Sequence, residues 1–144
     1  MTGAVVVDAS VAVKWLVPEE RSEDALSLAK RWAQEGIITL APMLLWSEVG
    51  NALHQRVRSG ELETSDAARL LGELGQLGLE PRSEVHICPR AMHLANEFGL
   101  TNAYDAVYLA LAEAEDAEFW TADGPLYKTV GRQLEWVHSL GENK

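Results

Sequence analysis

Four acidic residues of this chain sit inside or at the end of apolar stretches, where an ionised carboxylate is costly unless something compensates it. Asp8 follows Ala4-Val5-Val6-Val7, and Asp123 follows Phe119-Trp120-Thr121-Ala122. Glu48 lies in Met43-Leu44-Leu45-Trp46-Ser47-Glu48-Val49, and Asp105 in Ala103-Tyr104-Asp105-Ala106-Val107-Tyr108-Leu109. One such acid is explained by capping a helix. Four spread through a small chain point to a single gathered site, and the natural partner of a carboxylate cluster is a hard divalent cation. No His or Cys accompanies them in sequence, so Mg2+ or Mn2+ suits the set better than zinc. The chemistry such a cation supports is hydrolysis of a phosphodiester, with an activated water and stabilised charge on the phosphoryl oxygens.

The elements that must position these acids alternate between two periodicities. The Val-rich run 4–8 reads as a buried strand. Ser10 can cap a helix over 11–16, which Pro18 ends. Residues 22–34 have helical spacing through Ala25, Leu26, Ala29 and Trp32, with Gly36 as the stop. Residues 37–41 read as a second strand. Pro42 suits a first helical position, opening a helix to about Arg58. Thr64 or Ser65 caps a further helix through Leu70, Leu71, Leu74 and Leu77. Residues 84–87 read as a third strand, 89–97 as a helix ending at Gly99, and Asn102 as the cap of a helix over 103–115. Residues 118–121 and 135–138 are the fourth and fifth strands. Such alternation predicts right-handed crossovers and an α/β fold, with a mostly parallel central sheet of about five strands flanked by helices. Asp8 and Asp123 then fall at the carboxyl ends of strands, where open α/β sheets build their sites. Glu48 and Asp105 fall in first turns of helices, where the macrodipole favours negative charge.

Size and composition bound the possibilities. The 144 residues, 47% hydrophobic, suit a single domain spanning 1–144. No apolar run approaches the roughly 20 residues of a membrane span, and the N-terminus lacks the pattern of a signal peptide, so a cytoplasmic location is expected. The one cysteine, Cys88, cannot form an intramolecular disulfide. The net charge of −10 argues against phosphate binding through a basic surface, but less so where bound cations offset several of the acids. Lys14, Arg56, Arg58, Lys128 and Arg132 are the basic residues near the expected site loops and helices. The five tryptophans fall mostly on apolar faces, as packing residues do. His54, His86, His93 and His138 show no metal-ligand spacing.

These residues meet a known pattern. Val5-Val6-Val7-Asp8-Ala9-Ser10-Val11 resembles the opening strand and first acid of PIN domains. The segment from Pro42 through Glu48 to Leu53 resembles their second-acid helix, that from Leu100 through Asp105 to Ala112 the third, and Trp120-Thr121-Ala122-Asp123-Gly124-Pro125-Leu126-Tyr127 the fourth-acid turn. Order and spacing match over nearly the whole chain, and the compact size is similar to VapC-type toxins of type II toxin–antitoxin pairs. The resemblance implies a PIN-like three-layer sandwich and a Mg2+- or Mn2+-dependent endoribonuclease. It also implies a homodimer and a cognate VapB-like antitoxin that blocks the active site. By the same resemblance Asp8 and Asp105 are metal-contacting acids, Glu48 is a ligand or water-positioning base, and Asp123 is an outer acid acting through water. Thr121 matches a hydroxyl position that orients the fourth acid, and Ser10 and Asn51 match supporting positions. One departure is Asn102, where the family often has a small hydroxyl residue three before the third acid; here Thr101 is displaced by one.

Each acid has a simpler reading: Asp8 as a helix cap, Glu48 and Asp105 as dipole partners, and Asp123-Gly124 as turn chemistry. Two rivals address the chain as a whole. A phosphatase using Asp8 as nucleophile wants a second acid two residues on, where Ser10 stands. A catalytically silent PIN-like module that binds RNA or protein need not retain all four acids, and this chain does.

Overall fold

The computed structural model describes residues 3–141. Its core is a five-stranded sheet in the order β3-β2-β1-β4-β5, with every neighbouring pair parallel. The strands are β1 (Ala4–Val7), β2 (Ile38–Pro42), β3 (Leu79–Arg82), β4 (Glu118–Thr121) and β5 (Val137–Ser139). Seven α-helices connect them: α1 (Ala9–Leu16), α2 (Ser22–Gln34), α3 (Leu44–Arg58), α4 (Thr64–Leu74), α5 (Cys88–Glu97), α6 (Ala103–Glu115) and α7 (Gly124–Val130). Val5, Val6 and Val7 are all buried, as expected for a central parallel strand covered on both faces. Helix α1 packs with α2, α3 and α4, whereas α5 packs with α6, so the helices divide into two layers about the sheet. Helix α6 is buried continuously from Ala106 to Ala112 and crosses behind β1, β2 and β4.

The strand order locates the site. The chain moves outward from β1 to β2 and β3, then returns to place β4 on the other side of β1. The reversal falls between β1 and β4, and in doubly wound sheets the crevice beyond the strand ends at that point is where ligands bind. Asp8 directly follows β1, and its backbone N–H reaches the carbonyl of Trp120 in β4. Asp123 stands two residues past the end of β4.

Several elements differ from the sequence expectation. The third strand is 79–82, not 84–87. It lies at the sheet edge, where Pro81 is tolerated because a ladder donor can be missing there. Residues 85–87 instead form a 3₁₀ turn, with Val85 exposed. Pro42 closes β2, opposite Arg82, rather than opening α3. Helix α3 consequently starts at Leu44 with Met43 as a cap lacking a side-chain acceptor, and Glu84 fills that role from a distance: its Oε2 accepts from the Leu44 N–H at 2.9 Å. The Glu84→Ala variant is expected to lose about 1 kcal/mol of stability, checked by urea denaturation. Helix α1 begins two residues earlier than expected, capped by Asp8 rather than Ser10. Helix α4 has Glu63 at its cap position, so neither Thr64 nor Ser65 caps it, and it ends at Leu74, before Leu77. Helix α7 was not expected at all; Asp123 caps it and Pro125 sits in its first turn.

Candidate active site

Asp8, Glu48, Asp105 and Asp123 line one open cleft of about 560 Å³ at the carboxyl edge of the sheet. Ala9, Ser10, Leu44, Ser47, Asn51, Tyr104 and Tyr108 complete the lining. Thr121 is fully buried just beneath it. Four different parts of the chain therefore bring the four acids together.

Asp8 is the most constrained, with only 6% of its surface exposed. Its Oδ1 accepts from the Ser10 N–H at 3.1 Å and from the Ser10 hydroxyl at 2.5 Å. Its Oδ2 accepts from the Thr121 hydroxyl at 2.5 Å. Each hydroxyl is itself anchored: Ser10 Oγ accepts from Ala122 N–H at 2.8 Å, and Thr121 Oγ1 from Asp123 N–H at 3.0 Å. Two short side chains thus tie the end of β1 to the turn after β4, fixing the relative positions of the first and fourth acids. Asp123 is held further by capping α7, its Oδ1 accepting from the Leu126 N–H at 3.0 Å. The simple capping reading and the gathered-site reading are both true of Asp8 and Asp123, because the same backbone donors that satisfy a cap also orient a carboxylate.

Glu48 lies one turn inside α3 rather than in its first turn, so the helix dipole contributes little there. Its partner is Tyr108, whose hydroxyl donates to Oε1 at 2.5 Å. Tyr108 is almost wholly buried and stacks on Phe119 at 6.1 Å between ring centroids. Burial, reinforced by the bond to Glu48, pushes its phenol pKa far up, so it stays a proton donor. Tyr108 was missed in the sequence. Its signal was present: it falls three residues after Asp105, on the same face of α6, as one polar atom in the buried apolar stretch from Ala106 to Ala112. Asp105 is in the first turn of α6, beyond the Asn102 cap, whose side chain accepts from the Tyr104 N–H at 2.8 Å. Among the described residues no side chain hydrogen-bonds to the Asp105 carboxylate.

Electrostatics separates Asp8 and Asp105 from ordinary surface charge. Burial raises the Asp8 carboxyl to about 6, against the lowering effect of Ser10, Thr121 and Val11, with Asp123 adding repulsion. Burial also raises Asp105 to about 6, with repulsion from Asp123 and Glu48. Asp8 and Asp105, buried and facing neighbouring carboxylates, belong to an all-oxygen donor set whose repulsion a divalent cation would relieve. The residue chemistry fits Mg2+ or Mn2+ on that ground. Among the described residues no three acid, imidazole or thiol groups already stand in a ligating arrangement, so taking up a cation requires side-chain rotation or intervening water.

Comparison with known proteins bears on the family and the fold. The family model for the PIN domain matches residues 5–131. Ribonuclease VapC3 of Pyrobaculum aerophilum is 36% identical over 124 residues, covering 85% of this chain and 91% of that protein. The crystal structure of a protein from Pyrobaculum aerophilum superposes with a TM-score of 0.71 at 21% identity, over 96% of this chain and 84% of the other. A toxin–antitoxin complex from Klebsiella pneumoniae contains a chain that superposes with a TM-score of 0.63 at 14% identity, over 92% and 94% of the two chains. At those identities the structural likenesses speak for the fold.

Proposed function

Because the chain belongs to the PIN-domain family, we propose that its acidic cleft hydrolyses RNA phosphodiester bonds and that the protein, acting as one domain over 1–144, is the toxin of a toxin–antitoxin pair. The observation that carries this reading is the convergence of Asp8, Glu48, Asp105 and Asp123 at the β1–β4 switch point. The 36% identity to a ribonuclease over most of both chains supports RNA as the substrate.

A bound Mg2+ or Mn2+ would supply a Lewis acid for charge developing on the phosphoryl oxygen and would lower the pKa of an attacking water. Asp8 and Asp105 are the residues to hold it, with Glu48 beside them as the water-positioning base and Asp123 acting from further out through water. Ser10 and Thr121 keep both Asp8 oxygens oriented. Glu48 has one oxygen occupied by Tyr108, and among the described residues no hydrogen bond reaches the other, which suits it to accept the proton of the attacking water. Water oxygen bonds to phosphorus as the bond to the 3′-oxygen breaks, and the departing oxygen takes a proton from solvent. No 2′-hydroxyl participates, so the products carry 5′-phosphate and 3′-hydroxyl ends. End-labelling and mass spectrometry of a cleaved oligoribonucleotide test this; 2′,3′-cyclic phosphate products would sink the mechanism.

No helix of the described residues is long and apolar enough to cross a membrane, and the toxin reading carries a cytoplasmic location with it. A structurally similar chain comes from a toxin–antitoxin complex, which goes with a VapB-like antitoxin as partner here; the homodimer rests on the PIN-domain resemblance alone. An acidic cleft is a socket for Arg, whose guanidinium pairs with carboxylates in a forked geometry. An Arg-bearing antitoxin segment is therefore expected to enter the cleft. Its Arg→Ala form is expected to restore cleavage in a mixed assay, while undiminished inhibition would place the blocking contact elsewhere.

A further inference from the structure

Beside the acid cleft, beyond Ala9 and Ser10, lies a second open pocket of about 320 Å³ that shares those two residues with it. Lys14 and Arg56 stand at this pocket, and so does Glu19. Lys14 follows Ser10 by one helical turn on α1. Arg56 follows Glu48 at i+8 on α3, with Ala52 between them at i+4, also lining the pocket. Two packed helices therefore each run a stripe from the acid cleft to a cation. The rise is about 6 Å along α1 and about 12 Å along α3. That is within about two to four backbone phosphates of the cleft, since their charges recur about every 3.4 Å of axis in a stacked strand.

The two cations hold one carboxylate between them. Lys14 Nζ donates to Glu19 Oε2 at 2.9 Å, and Arg56 Nη2 donates to Glu19 Oε1. Each oxygen of Glu19 is thus taken by a different basic side chain, the arrangement a phosphate would adopt there. Lys14 also donates to the Glu20 carbonyl at 2.7 Å, and Arg56 reaches Glu61 at 2.8 Å. Lys14 is 13% and Arg56 24% exposed, so both are held in place rather than free in solvent. Glu19 sits on the loop between α1 and α2, outside any helix or strand, so it can swing away without unfolding an element. In a chain of net charge −10, a paired cation site next to an acidic cleft is where a polyanion gains attraction.

Building on the ribonuclease reading, we propose that Lys14 and Arg56 form a subsite for a backbone phosphate flanking the scissile one, and that Glu19 occupies it in the free protein as an internal anion. RNA binding exchanges a phosphate for Glu19. The site grips substrate and takes no part in bond cleavage.

The signs of three substitutions test this. Binding of a fluorescein-labelled single-stranded RNA is measured by anisotropy in EDTA, across a salt series. Lys14→Gln and Arg56→Gln are each expected to weaken binding and to flatten the slope of log K against log salt, by at most about 0.7, the value for one phosphate contact on a single strand. Glu19→Gln is expected to tighten binding several-fold with the wild-type slope or a steeper one. A purely structural ion-pair network predicts otherwise: Glu19→Gln would weaken binding or leave it unchanged, and slopes would be the same throughout. Either result overturns the proposal. Arg56→Lys, which keeps the charge, is expected to retain the wild-type slope, so loss of fold by Arg56→Gln cannot imitate the effect. The readout is equilibrium binding, so RNA that is bound with these slopes but never cut on adding Mg2+ or Mn2+ would defeat the ribonuclease reading and leave the subsite standing.

Discussion

Asp8→Asn is expected to reduce RNA cleavage by at least about 10³-fold while making the cation-free protein more stable at pH 7. The first effect follows from the charge. Lewis-acid stabilisation of a phosphoryl transition state is worth several kcal/mol, about tenfold in rate for each 1.4 kcal/mol. Asparagine preserves the shape and the acceptor for the Ser10 N–H but removes the charge that would hold the cation. The second effect follows from burial. The Asp8 carboxyl is raised from 3.8 to about 6 in the folded protein, so the native state holds a proton more tightly than the unfolded chain. Between those two values the folded state binds more protons, and linkage makes stability fall as pH rises through that window. By pH 7 the full penalty is present, about 3 kcal/mol at about 1.4 kcal/mol per unit. Asn carries no such penalty, and at this chain length each kcal/mol recovered raises the melting temperature by about 2–4 °C.

The same sign governs the wild type. Its cation-free melting temperature is expected to fall as pH rises from 4 to 7, with half-buried Asp105, also raised to about 6, adding a smaller contribution of the same direction. Millimolar Mg2+ or Mn2+ is expected to restore stability at pH 7, because a ligand that binds only the folded state stabilises it by mass action. It is expected to do much less at pH 5, where protons compete for the same oxygens. Differential scanning fluorimetry over pH, with cation and with EDTA, reads all four conditions. An Asp8→Asn protein that melts lower than wild type in EDTA at pH 7 would show that the buried charge is not the strained group described above.

The elements with strong periodicity, α2 and α6, lie where the sequence places them. Asn102 caps α6 because a helix start written in side-chain chemistry is local information. The third strand is not local. Leu79-Glu80-Pro81-Arg82 has no apolar run and contains a proline, and it is a strand only because β2 offers it a pairing edge. Val85 and Ile87 carry the more strand-like pattern, yet Val85 points into solvent. Helix α7 was hidden by Asp123-Gly124, which reads equally as a turn; a proline after it is compatible with either. At the site, the four acids could be found because carboxylates in apolar settings stand out one by one. The tie through Ser10 and Thr121, joining residues 111 apart in sequence, and the Tyr108–Glu48 bond belong to the folded arrangement alone. A hydroxyl has no cost in an apolar segment comparable to a charge, so it marks a sequence far more faintly than a carboxylate does, and Ser10 and Thr121 stand out only through the resemblance to PIN domains.

Tyr108→Phe is expected to lower cleavage by about 10–100-fold, the range for losing a group that orients a metal-site ligand. The hydroxyl is the donor that fixes Glu48 Oε1, at 2.5 Å, while the ring is held independently by burial and by Phe119. Phenylalanine keeps the ring and its packing, so the loss falls on one bond. Glu48 borders the open cleft, where water can replace the missing donor, and the stability cost is expected to stay near 1 kcal/mol. What water cannot replace is direction. A carboxylate free to rotate presents its second oxygen to the cleft only part of the time, and it repels Asp105 from a wider range of positions. The defect is therefore expected to appear first as a higher cation concentration for half-maximal rate, and to shrink as Mg2+ or Mn2+ is raised, since binding energy from the cation reimposes the orientation. A purely packing role for Tyr108 predicts a lower melting temperature with the cation dependence untouched. Titrating cation against rate for wild type and Tyr108→Phe, beside their melting curves, separates the two, and an unchanged half-saturation would remove Tyr108 from the site.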